Sequence, residues 1–230
     1  MEPLLLVPGL VCDGDLYAEQ LAGLSDLTDV VVTDVSCGAS IGDMAQAALD
    51  VAPDRFALAG MSLGGYVVWE VLRRAPERVT RLALLDTSAR PETPAQTARR
   101  RELIALSDSD GFPAVLDALW PAEVAAGRVD DVGLRRRFDA MGQRHGPDVF
   151  RRQQEAIIVR ADSRADLAGV GVPTLVLCGR DDAITPLDGH QEMAAGISGA
   201  ELVLLDDCGH LSTWERPEEV TASLRAWLLR

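Results

Sequence analysis

Gly60-Met61-Ser62-Leu63-Gly64-Gly65 is the stretch that decides how this chain is read. It follows an apolar run, Arg55-Phe56-Ala57-Leu58-Ala59, and opens a helical pattern from Tyr66 to Arg74. In such a strand–turn–helix, the residues two before and two after the serine nearly touch, and Gly60 and Gly64 leave the room. Gly65 then lets the helix lie close to its neighbours. The turn would hold Ser62 Oγ at the carboxyl edge of a sheet and aim the Leu63 backbone N–H at an oxyanion forming there. Gly-x-Ser-x-Gly alone also arises as a plain glycine-rich turn, so a base and an acid must come from elsewhere.

Outward from this turn, short apolar runs alternate with helical spacing. Leu4-Leu5-Leu6-Val7 is a buried-strand run that stops at Pro8-Gly9. A helical pattern through Leu16, Gln20, Leu21 and Leu24 follows, then a second buried strand, Val30-Val31-Val32, and a helix over Ile41–Val51. After the turn and its helix comes a fourth strand, Leu82–Leu85. Residues 89–166 carry no strand pattern and read as several helices punctuated by glycine and proline. The strand–helix rhythm then resumes with Thr174–Cys178, Leu187–Ile197, Leu202–Leu205 and a last helix from Pro217. Continuous apolar strands separated by helices predict a mostly parallel sheet of about six strands covered on both faces. The expected organisation is an α/β core of residues 1–88 and 167–230, with a helical cap, 89–166, inserted after the fourth strand.

Composition limits the chemistry. The 230 residues are 47% apolar and 25% charged, as in an ordinary globular protein, with a net charge of −14. That charge disfavours nucleic acid or an anionic membrane as partner. Residues 1–8 have an acidic rather than a basic start and too short an apolar run for a signal peptide, so a cytoplasmic location is expected. The four cysteines have neither C-x-x-C nor zinc spacing, and three histidines are few for a metal centre. All 22 basic residues are arginine, which excludes a Walker lysine and a Schiff-base lysine. No metal or organic cofactor is implied. The runs Arg99-Arg100-Arg101 and Arg135-Arg136-Arg137 could dock an anion, but consecutive helical residues fan out, so solvated surface is the expectation.

A serine hydroxyl needs a base, and histidine suits that near neutral pH. His210, in Cys208-Gly209-His210-Leu211-Ser212, follows the last strand and would share the sheet edge with Ser62. His145 and His190 are read as surface or packing. The acid that orients the histidine could be Asp181 or Asp182, in Gly179-Arg180-Asp181-Asp182-Ala183-Ile184-Thr185-Pro186, or Asp86 after the fourth strand. Serine, aspartate and histidine then occur in the chain order that this turn architecture uses.

Together, Gly-Met-Ser-Leu-Gly-Gly, Gly-Arg-Asp-Asp-Ala-Ile-Thr-Pro and Gly-His-Leu-Ser-Thr-Trp-Glu-Arg-Pro-Glu-Glu-Val resemble the α/β-hydrolase family. The resemblance covers the chain except residues 89–166, which are similar to that family's lid. It maps the acid to Asp182, the fourth residue of Gly-x-x-Asp-x-x-x-Pro, and implies a second oxyanion donor in the Leu10 backbone N–H, with Pro8 standing where the family commonly has histidine. It also implies that the family's usual first two strands are missing.

The simplest chemistry implied is cleavage of a small-molecule carboxylic ester, with a small to medium, largely apolar acyl group, through an acyl-enzyme on Ser62. Met61 and Leu10 should flank the reacting atoms. Trp120, Phe138 and Met141 are read either as pocket walls or as internal packing of the cap. Alternatives on the same triad are a thioesterase, a lactonase and a C–C bond hydrolase; another is a non-catalytic small-molecule receptor on this fold. Composition does not determine the oligomeric state.

Overall fold

Six parallel strands run through the centre of the computed structural model, which describes residues 2–230. They are β1 (Leu4–Val7), β2 (Val30–Val32), β3 (Phe56–Met61), β4 (Val79–Leu85), β5 (Thr174–Gly179) and β6 (Glu201–Leu205), in spatial order β2-β1-β3-β4-β5-β6. Every neighbouring pair is parallel. The helices α1 (Ala18–Leu24), α2 (Ile41–Val51), α3 (Leu63–Arg74), α7 (Leu187–Gly196) and α9 (Pro217–Leu228) cover the sheet. Between β4 and β5 lie α4 (Pro94–Ser109), α5 (Phe112–Glu123) and α6 (Val132–Ile158), and no strand. A short helix, α8 (Ser212–Glu215), precedes α9.

Successive side chains of a strand point to opposite faces, and this divides the core in two. Leu4, Leu6, Ala57, Ala59 and Leu175 pack with Leu24 of α1 and with Leu224 and Trp227 of α9. Leu5, Val7, Leu58, Leu84 and Val176 pack with Met44 of α2, Val67 of α3 and Met193 of α7. Both faces are covered, so the inner strands are apolar throughout rather than alternating. Val30–Val32, expected to be buried, is only half-buried because β2 lies at the sheet edge. β4 begins at Val79, three residues before its apolar run, and α3 begins at Leu63 immediately after the turn. The one-turn helix α8 has no counterpart in the sequence expectation, since four residues are too few to show a helical period.

The chain runs from β1 to one side to make β2, then crosses to the other side for β3. Carboxyl-end loops diverge at such a reversal and leave a crevice between β1 and β3. Gly9 and Ser62 face each other there: a Cβ built on Gly9 would lie 3.5 Å from Ser62 Cβ. The close approach is tightest at Gly64, where a Cβ would come within 2.0 Å of the Val7 carbonyl oxygen. Gly64→Ala is therefore expected to cost about 3 kcal/mol or more of stability, seen as a lowered urea midpoint. Gly14→Ala, which meets nothing within 4 Å, should stay within about 0.5 kcal/mol.

Candidate active site

Ser62 sits between β3 and α3 with φ 55° and ψ −117°, a conformation L residues avoid. Three hydrogen bonds hold it there. Its N–H donates to the Leu85 carbonyl (3.1 Å), and its own carbonyl accepts from the Gly65 N–H (2.9 Å) and Thr87 Oγ1 (2.8 Å).

His210, on the loop between β6 and α8, places Nε2 2.9 Å from Ser62 Oγ. Its Nδ1 lies 2.8 Å from Oδ2 of Asp182, on the loop after β5. Both side chains are buried. The Asp182 carboxylate is further held by the Ile184 N–H (2.8 Å), the Thr185 N–H (2.9 Å) and Thr185 Oγ1 (2.6 Å). Burial alone would raise the Asp182 carboxyl; the His210 charge and these donors outweigh it and hold the group below its ordinary range. Burial likewise pulls the His210 imidazole down, but the Asp182 charge and hydrogen bond dominate and raise it above its ordinary value. In this arrangement Nδ1–H donates to Asp182 and Nε2 is free to accept from Ser62.

The other acids and histidines occupy different positions. Asp181 is exposed. Asp86 is fully buried, accepts the Gly179 N–H (3.0 Å) and receives the Ser212 hydroxyl, so it braces the β4, β5 and β6 loops instead of touching His210. Burial, reinforced by the nearby Asp182 charge, raises its carboxyl well above the ordinary range. His190 is buried and accepts the Thr87 N–H at Nε2 (3.0 Å); burial drops it to about 4, so it is a neutral packing residue. His145 lies 3.5 Å from Asp13, away from this cluster.

Leu10 lines the same crevice and Leu63 directly follows Ser62, and neither backbone N–H has an acceptor among the described residues. Two further side chains hold the surrounding loops. Gln153 of α6 accepts the Val11 N–H (2.7 Å) and donates to the Val35 carbonyl (3.1 Å), fixing Val11 at φ 47° directly after Leu10. Glu215 of α8 accepts the N–H of Gly209 (2.9 Å) and of Ala125 (2.9 Å), tying the His210 loop to the end of α5. Neither was found by sequence reasoning. Gln153 is remote in the chain and signals nothing locally, although Glu215 falls inside the motif quoted around His210.

A cavity of about 290 Å³ opens above Ser62 and His210, between the sheet edge and helices α4–α6. Leu10, Met61 and Phe138 line it. Trp120 and Met141 do not, which corrects their reading as walls. Trp120 stacks behind Phe138 (ring centroids 5.5 Å apart) and donates Nε1–H to the Val129 carbonyl, while Met141 is buried in the core. The arginines expected to be solvated divide. Arg99, Arg101 and Arg136 are exposed, Arg99 also lining the cavity beside the half-buried Arg100; Arg135 pairs with Asp139, and Arg137 pairs with Glu19 while lying 4.4 Å over the Trp214 ring. Among the described residues no group of three or more His, Cys, Asp or Glu side chains is placed to hold a metal ion, and no helix is long and apolar enough to cross a membrane.

Comparison with known proteins agrees with this fold. A model of the alpha/beta hydrolase family matches residues 4–223. A protein assigned provisionally as a carbamate hydrolase in Rhizobium rhizogenes is 29% identical over 242 residues, covering 94% of this chain and 88% of the relative. The pimeloyl-[acyl-carrier protein] methyl ester esterase of Nitrosomonas europaea is 28% identical over 200 residues, covering 81% of this chain and 77% of the relative. Among solved structures, a thermophilic esterase from Thermogutta terrifontis superposes with a TM-score of 0.89 at 28% identity, covering 100% of this chain and 90% of that one.

Proposed function

The chain belongs to the alpha/beta hydrolase family, and from that premise we propose that it hydrolyses small-molecule carboxylic esters with Ser62 as nucleophile. The observation that carries the proposal is the unbroken chain of contacts from Ser62 Oγ through His210 to Asp182, beside the two uncommitted N–H groups. Ser62 Oγ attacks the ester carbonyl while His210 Nε2 takes its proton. The oxyanion is received by the Leu10 and Leu63 N–H groups. His210 returns the proton to the leaving alcohol, then activates the water that releases the acid. Asp182 holds the imidazole in the required tautomer and stabilises it when charged.

Met61, Leu10 and Phe138 shape the pocket, Trp120 and Met141 support it from behind, and residues 89–166 act as its cap. Esterases among the relatives are in keeping with an ester substrate. Four free thiols, three of them buried, fit the reducing compartment expected of a cytoplasmic protein.

The test is release of p-nitrophenol from acetyl, butyryl, octanoyl and longer esters. Turnover best at short to medium chains is expected. No turnover of any ester would overturn the reading and direct the search to thioesters, lactones and C–C bonds. The pH dependence adds a second check. The base must be neutral to act, and the Asp182 charge raises the His210 imidazole. kcat/KM should therefore rise with pH, its ascending limb centred above the roughly 6.5 of an unperturbed imidazole. A limb centred below that value would contradict His210 as the base.

A further inference from the structure

The cavity over Ser62 is not apolar throughout. Alongside Leu16, Leu103 and Phe138 it is lined by Glu92, Arg100 and Gln154. Arg100 of α4 donates Nε–H to Glu92 Oε1 (2.6 Å) and Nη1–H to Gln154 Oε1 (2.6 Å); its Nη2 has no hydrogen-bond partner among the described residues. Accepting from Arg100 fixes the Gln154 amide with its oxygen toward the guanidinium and leaves Nε2 as a donor. That Nε2 is buried and has no partner, although buried donors are ordinarily satisfied.

Charge points the same way. Glu92, with its side chain 1% exposed, also receives Arg160, with its side chain 4% exposed, so two guanidinium groups share one carboxylate. Glu123 lines the same cavity, as does Arg99, so with Arg160 paired to Glu92 three guanidinium groups stand against two carboxylates. A protein with a net charge of −14 does not gather anions through its overall field, which makes a local cationic excess inside the substrate cavity specific. A planar carboxylate, with two acceptor oxygens, can take one N–H from an arginine and one from an amide.

The geometry points to an anion subsite formed by Arg100 Nη2 and Gln154 Nε2, so that the preferred substrate is an ester that also carries a free carboxylate, such as the half-ester of an aliphatic dicarboxylic acid. The turnover part of this inference rests on the ester-hydrolase reading above; the binding part does not.

The test compares kcat/KM for mono-p-nitrophenyl adipate with that for its neutral methyl-capped counterpart. The parent should prefer the free acid by about tenfold or more. Gln154→Glu keeps the acceptor for Arg100 but replaces the free donor by a carboxylate, and should reduce that ratio about 10- to 100-fold. Arg100→Gln should do the same, and circular dichroism checks that each variant is folded. Calorimetry of adipate monoamide on Ser62→Ala measures binding without chemistry: binding is expected, and its loss on adding Arg100→Gln. A ratio at or below one in the parent, or one unmoved by both variants, overturns the subsite even if neutral esters are hydrolysed. If no ester is turned over, the ester reading falls and calorimetry alone decides: Arg100-dependent binding supports the subsite, and no binding overturns it.

Discussion

Ser62→Ala is expected to lower kcat for ester hydrolysis by about 10⁵- to 10⁶-fold, the loss seen when a triad nucleophile is removed. The size follows from what the substitution leaves. His210 and Asp182 keep their 2.8 Å contact and the cavity keeps its lining, but no hydroxyl remains to form the acyl-enzyme. The residual rate is set by oriented water and by the Leu10 and Leu63 N–H groups. Alanine has the same backbone preference as serine, so the turn should stay folded and the thermal midpoint should change little. Active-site titration with a p-nitrophenyl ester gives a burst equal to the enzyme concentration in the parent and none in the variant. A variant retaining activity within tenfold of the parent would remove Ser62 from the chemistry.

Asp182→Asn should cost about 10⁴-fold in kcat, as expected when the base is held in the wrong tautomer. The Ile184 and Thr185 N–H groups both donate to Oδ1, so the asparagine carbonyl would take that side and its NH₂ would face His210 Nδ1. The imidazole must then accept at Nδ1 and carry its proton on Nε2, where it cannot receive one from Ser62. Asp86→Asn is the matched control. The Asp86 carboxylate accepts only the Gly179 N–H and the Ser212 hydroxyl, and burial already raises it toward the neutral form. Its replacement should move kcat by less than about tenfold while lowering stability by about 1–3 kcal/mol. The reverse pattern in kcat would give the orienting role to Asp86.

The two variants also show what could be read from the residues. The strands were legible because a sheet covered on both faces demands unbroken apolar runs, and Leu4–Val7 and Leu82–Leu85 are such runs. The ends of β4 and α3 were not, because Thr80 and Arg81 interrupt the apolar run after Val79 and the turn hides the first helical residues. The choice among Asp86, Asp181 and Asp182 lay beyond composition, since all three follow a strand and reach the same edge; the motif resemblance favoured Asp182, and the structure puts its carboxylate against His210. Helix faces were the weakest point. Trp120 and Phe138 read alike in sequence, yet one lines the cavity and the other stands behind it. Arg100 was expected in solvent with its neighbours, because nothing local records that Glu92 and Gln154 receive it.

The backbone at Ser62 has a thermodynamic consequence. A non-glycine residue held at φ 55° costs on the order of 1–3 kcal/mol, whereas glycine adopts that conformation freely at an unfolded-state entropy cost of about 0.5–1 kcal/mol. Ser62→Gly should therefore melt at a higher temperature than the parent while having lost its nucleophile. Directed evolution of this protein for heat resistance, without a simultaneous demand for turnover, would select against the residue it most needs to keep.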